Sequence, residues 1–136
     1  MIFPDVCRIR KDCTINDYEQ FQQEILTDSF GCKYQLFIRI NGTYKFKSWN
    51  NCAAVGLRII NLSSQNTPIK RRIKIILKNM AGGLDYSLNK IEVFNKLGHF
   101  AWFYEYISHE KLFGDENNKS MYIIDGDIHF NVIIDV

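Results

Sequence analysis

Neither sign of charge dominates this chain: 17 Lys and Arg stand against 15 Asp and Glu, a formal net charge of +2 over 136 residues. That balance supplies no whole-molecule field for nucleic acid or an anionic bilayer, so neither is expected as a partner. No run approaches the roughly 20 apolar residues of a membrane span. Met1-Ile2-Phe3-Pro4-Asp5 lacks the basic and apolar regions of a secretory signal, so a cytoplasmic or nuclear setting is expected. The sequons at Asn41, Asn61 and Asn118 carry weight only in a secreted protein. Cys7, Cys13, Cys32 and Cys52 form no CxxC pair, which argues against a zinc site or a disulfide framework. Reduced thiols packed as small apolar groups are expected instead. His99, His109 and His129 are widely spaced and no HExxH occurs, so no metal is expected. Gly82-Gly83 is not followed by Lys-Ser or Lys-Thr, and Asp125-Gly126-Asp127 lacks the later ligands of a calcium loop. No cofactor is expected.

Apolar side chains, in contrast, are plentiful. Hydrophobic residues make up 46% of the chain and aromatics 14%, which excludes disorder and, with many Ile and few Ala, favours strands. The length fits one domain, residues 1–136, with a core large enough to need no staples. Alternation of period two recurs along it. Tyr34, Leu36, Ile38 and Ile40 share one strand face, opposite Lys33, Gln35 and Arg39. Asn41-Gly42 signals a hairpin, and the alternating run 43–49 after it reads as an edge strand or an ordered loop. Further strands are expected at 53–60, 69–77, 87–94 (Ile91 and Val93 on one face) and 100–107. The final strand sets Ile128, Phe130, Val132, Ile134 and Val136 against His129, Asn131 and Asp135.

Two short helical pieces are expected. Asn16-Asp17-Tyr18-Glu19 reads as a cap, with Tyr18, Phe21 and Ile25 at helical spacing after it. Ser108 caps a turn from His109 to Phe113 that Gly114 ends, with His109 and Glu110 expected in solvent. The basic run Lys70-Arg71-Arg72-Ile73-Lys74 reads as a solvated strand face or a sheet edge guarded by lysine. The sum is an all-β antiparallel sandwich of about seven or eight strands.

Several stretches also resemble, in order, those of the MATH (meprin and TRAF homology) family. They are Ser29-Phe30 followed by Tyr34-Gln35-Leu36-Phe37-Ile38; Ala54-Val55-Gly56-Leu57; Ile73-Lys74-Ile75-Ile76-Leu77-Lys78-Asn79; Phe103-Tyr104-Glu105-Tyr106-Ile107-Ser108; and Tyr122-Ile123-Ile124-Asp125-Gly126-Asp127-Ile128. The likeness is best over residues 29–136. It implies a TRAF-like sandwich that takes an extended peptide of a partner as an added strand, beside the strand preceding the short helix. Here that strand is Phe100, Ala101, Trp102, Phe103 and Tyr104. The family's usual Trp-Gly pair is replaced by Ala101-Trp102, and its aromatic pocket-wall positions map to Gly56, Ile73 and near Ile91. The first-strand Trp of the family is missing.

The resemblance implies a non-catalytic, peptide-binding interaction module without cofactor, of the kind that recruits substrates in ubiquitin-related pathways. A monomer or weak dimer is expected. The competing readings are an all-β structural protein that self-assembles through its aromatic strand and, further off, an enzyme using one of the cysteines.

Overall fold

Alternating apolar residues become strands here because each strand has one face to bury. The computed structural model describes residues 2–3, 20–40, 52–114 and 119–136. Its strands are β1 (Ile2–Phe3), β2 (Gln20–Thr27), β3 (Lys33–Arg39), β4 (Cys52–Asn61), β5 (Ile69–Leu77), β6 (Tyr86–Phe94), β7 (Phe100–Ser108) and β8 (Ile128–Asp135). One helical turn, α1 (His109–Phe113), follows β7. Two antiparallel four-stranded sheets result, in the orders β1-β8-β5-β6 and β2-β3-β4-β7. This is the β-sandwich expected from the alternation.

The core lies between the sheets. Tyr34, Leu36 and Ile38 of β3 and Val55, Leu57 and Ile59 of β4 meet Ile73, Ile75 and Leu77 of β5 and Ile128 and Phe130 of β8, all buried. A register shift between β4 and β7, after Val55↔Phe103 and before Ala53↔Ile107, adds residues to β7 alone. The bulge lets two consecutive side chains, Tyr106 and Ile107, both go into the core. The Tyr106 hydroxyl then donates to the Ile75 carbonyl of the opposite sheet at 2.9 Å. The entry to β8 turns at Asp125-Gly126, both at positive φ, with Ile124 and Asp127 bridged across the turn.

A buried polar strut joins the sheets at one end. Asp28 follows β2, and its Oδ1 accepts from the Phe30 and Cys32 N–H groups at 2.9 and 3.1 Å. Its Oδ2 accepts from the Tyr34 hydroxyl at 2.7 Å and from Arg71 Nε of β5 at 2.9 Å. Burial alone would raise the Asp28 carboxyl, but hydrogen bonds from Arg71, Tyr34 and Phe30, with the Arg71 charge, hold it below the usual carboxylate range. Burial and the adjoining carboxylate push the Tyr34 phenol up.

Four expectations change. Residues 20–25 are strand, not helix, because Phe21 pairs with Ile38 in the sheet; the cap at 16–19 lies outside the described residues. Of the two readings of the basic run, the solvated strand face holds for Lys70, Arg72 and Lys74 and the edge does not, since β5 is flanked by β6 and β8. Within it Arg71 points inward and is buried by its pairing with Asp28, while Lys70, Arg72 and Lys74 stay exposed. His109 is buried rather than solvated, its Nε2 against the Ile40 carbonyl and its ring edge-on to Phe113. The capping itself is as expected: the Ser108 side chain accepts from the Lys111 N–H, and Gly114 ends the turn at positive φ. The hairpin at Asn41-Gly42, the run 43–49, Cys7 and Cys13 lie outside the described residues.

Removing one partner of a buried ion pair strands the other, at about 3–5 kcal/mol. Arg71→Ala is therefore expected to lower unfolding free energy by about that amount in urea titrations. The lowered Asp28 carboxyl contributes stability that is complete above the ordinary value of about 4 and is lost as pH falls from there toward its folded value. Acid titration of stability is expected to be shallower in Asp28→Asn than in the wild type over that window.

Candidate functional site

Whether a strand can accept a guest depends on which of its backbone groups its neighbour already uses. The Ile59 N–H donates to the His99 carbonyl at 3.1 Å, so Ile59 faces β7 with its backbone. The register runs on without a break through Arg58↔Phe100, Leu57↔Ala101, Gly56↔Trp102 and Val55↔Phe103. By alternation Leu57↔Ala101 and Val55↔Phe103 are hydrogen-bonded pairs, whereas Arg58↔Phe100 and Gly56↔Trp102 are not. The N–H and C=O groups of Phe100 and Trp102 thus face away from β4. Among the described residues no strand pairs with that side of β7.

The same parity sets the side chains. Ala101 and Phe103 are buried toward the core, and Phe100, Trp102 and Tyr104 lie half-buried on the outer face. Their rings form a ladder: Phe100 and Trp102 stack at 5.3 Å and 13°, Trp102 and Tyr104 at 6.1 Å and 23°. Trp102 lies over Gly56, where an added Cβ would come within 2.6 Å of Trp102 Cε3. Non-hydrogen-bonded partners approach to about 4.5 Å between Cα atoms, and the indole of Trp102, lying flat across β4, takes the space a side chain at position 56 would fill. Phe37 of β3, in register with Gly56, is buried on this outer face against Phe100 at 5.3 Å. The Arg39 guanidinium sits 5.1 Å from the Trp102 ring centre and that of Arg58 5.6 Å from Phe100.

The sequence-predicted residues therefore divide. Phe100, Trp102 and Tyr104 share one outer face, with Gly56 as its floor. Ala101 and Phe103 contribute backbone on that strand but point their side chains inward. Ile73 is a correction: it is 0% exposed in the core, on the opposite sheet, and presents no surface to a ligand. Ile91 is 55% exposed, but on the outer face of that opposite sheet, above Arg72 rather than beside the aromatic ladder. Its strand β6 turns Tyr86, Leu88, Lys90, Glu92 and Phe94 inward and Ile91 and Val93 outward.

Sequence reasoning missed Phe37, Arg39, Arg58 and Lys90. Phe37 had a signal, as the one aromatic between Gln35 and Arg39 on an otherwise polar face. Lys90 had one too, a charge in phase with Leu88 and Phe94. Its Nζ donates to the Trp102 carbonyl at 2.9 Å and lies 3.3 Å from Glu92 Oε2. The other Glu92 oxygen meets His99 Nε2 at 2.9 Å.

Cys32 and Cys52 are free thiols. Burial and then Asp28 push Cys32 up, and burial and then Glu105 push Cys52 up, so both favour the protonated form. Among the described residues no group of three His, Cys, Asp or Glu side chains is placed to hold a metal ion.

With this geometry in place, the solved structures decide the fold. TRAF5 of Notothenia coriiceps superimposes with a TM-score of 0.80, over 99% of this chain and 71% of that one, at 13% sequence identity. The chain has the TRAF-like, MATH-type sandwich fold. No family model and no curated protein sequence matches it. At this identity the likeness carries the fold, and the site is argued from this chain's own residues.

Filling the floor of the ladder tests the packing. Gly56→Val is expected to lift the indole from β4 and cost about 1–3 kcal/mol, as overpacking does. In a Trp49→Phe background, the Trp102 emission should shift to the red while far-ultraviolet circular dichroism keeps its strand signal.

Proposed function

We propose that this chain is a non-catalytic protein-interaction module that takes a short extended segment of a partner as an added strand along β7. The observation that supports the reading most is that one strand offers a guest both kinds of contact. The backbone groups of Phe100 and Trp102 face a side without a described neighbour, and their rings stand on the adjoining outer face. Strand addition uses both kinds of feature: main-chain hydrogen bonds give affinity, and alternate side chains of the guest give selectivity. Exposed Trp and Tyr are frequent anchors of such contacts. The fold adds support, since the resemblance to MATH domains implies peptide docking at this strand.

The rim shapes the guest. Arg58 borders the ladder at Phe100, which favours an acidic side chain next to an apolar residue that rests on Trp102. As a module of this kind the chain would work in the cytoplasm or nucleus, delivering a partner to attached machinery such as that of ubiquitin-linked pathways. The raised thiols of Cys32 and Cys52 speak against those two as nucleophiles, because the thiolate is the reactive form.

Self-assembly through the same strand is the second reading, favoured by the same open side. Light scattering separates the two: the module reading expects a monomer or weak dimer.

Peptides enriched on the wild-type domain from a random display library are expected to slow amide exchange at Phe100 and Trp102. Trp102→Ala should weaken them by at least about 2 kcal/mol, roughly thirtyfold, as loss of a central aromatic anchor does. Its melting should show the domain still folded. Equal binding by both proteins would remove this strand as the site.

A further inference from the structure

A guest strand on β7 needs the backbone acceptors on its open side, and one of them is already occupied. The Trp102 carbonyl accepts from Lys90 Nζ at 2.9 Å. Lys90 reaches it from β6, an edge strand of the opposite sheet among the described residues, across the flank of the sandwich. It projects inward, with its ammonium 5.3 Å from the Phe103 ring centre. Inward-pointing charges on edge strands are a known protection against unwanted pairing. Here the charge does more than repel, since it fills the hydrogen-bonding position that pairing would use.

The cap is also built to let go. Glu92, two residues along the same strand, holds its Oε2 3.3 Å from Lys90 Nζ. A released ammonium would keep that ion pair and need no new partner. Glu92 is itself steadied by His99 Nε2 at 2.9 Å, and His99 stands just before β7. The Lys90 side chain is 32% exposed, so it has solvent to swing into.

We propose that Lys90 is a displaceable cap on the docking edge of β7, which a guest strand must move off the Trp102 carbonyl before it can pair. This rests on the strand-addition reading and adds a selectivity device to it. Guests whose N–H meets the Trp102 carbonyl compete directly with the ammonium. Guests that pair only with Phe100 do not. In the absence of a guest the cap keeps the edge from pairing with a second copy.

The test uses a naive random-sequence peptide display pool as probe, applied to the wild type, Lys90→Met and Trp102→Ala. Methionine keeps the apolar stem and removes the donor. Lys90→Met is expected to retain about five- to tenfold more of the pool than the wild type, the worth of one hydrogen bond no longer to be displaced. Trp102→Ala is expected to retain less than the wild type. Melting curves should place Lys90→Met within a few degrees of the wild type, because the residue is partly exposed. If Lys90→Met retains the same or less while Trp102→Ala still loses retention, the cap is overturned and the strand-addition site stands. If no protein retains the pool above a blank surface, strand addition itself fails and the cap falls with it.

Discussion

The pairing of Gly56 with Trp102 is the constraint on which the site depends. Because this pair exchanges no backbone hydrogen bonds, its two Cα atoms approach closely and their side chains share one small volume. Glycine concedes all of it, and the indole lies down across β4. The same parity turns the Trp102 amide and carbonyl away from β4 toward the flank. Ring placement and backbone availability are therefore one consequence of register, not two coincident features. A slip of one residue would send Trp102 into the core and aim its polar groups at β4.

A template of this kind works only if it is held still, since ordering a loose strand opposes binding. β7 is fixed at both ends. Near its start the Ile59 N–H and C=O are engaged by His99 and Gly98. Near its end the Tyr106 hydroxyl reaches Ile75 in the other sheet, and the Tyr86 hydroxyl donates to the Tyr106 carbonyl. Farther along the sandwich, Asp28 and Arg71 tie the β2–β3 turn to β5 in a site where both side chains are buried. Such a pair contributes modestly to net stability but is costly to break singly, so it fixes how the layers sit more than how strongly they hold.

The strands were legible where one phase of the alternation is apolar and the other polar. β5 is the clear case: Ile69, Ile73, Ile75 and Leu77 fall in one phase, and β5 spans the residues that the sequence predicts. Arg71 shares that phase and was misread, because no local pattern announces a partner 43 residues away. β2 was misread for a different reason: Phe21 and Ile25 stand four apart, a spacing that suits a helix and also a strand whose register shifts between Gln22 and Ile25. In β6 both phases carry apolar residues, Leu88 and Phe94 in one, Ile91 and Val93 in the other. The phase alone does not say which faces inward; Ile91 was placed at the pocket by the family resemblance, and it stands on the other sheet. The aromatic excess in β7 was legible as an excess. That Phe100, Trp102 and Tyr104 form the outer row followed from the bulge and the register, which belong to the tertiary structure.

An edge strand that offers itself to a partner must avoid offering itself to everything. The usual protections, proline or a short strand, would also destroy the template. A row of charges on β7 itself would replace the rings that give the guest something to rest on. This sandwich places the protection elsewhere: among the described residues β6 and β7 are edges of different sheets on the same flank, and a side chain from one covers a backbone acceptor of the other. A lysine suits that task because its long stem crosses the gap and its ammonium donates in more than one direction. Arginine, with its planar fork, would hold the carbonyl and Glu92 in a stiffer geometry and release less readily. Template and guard thus lie on separate strands, so either can change without unmaking the other.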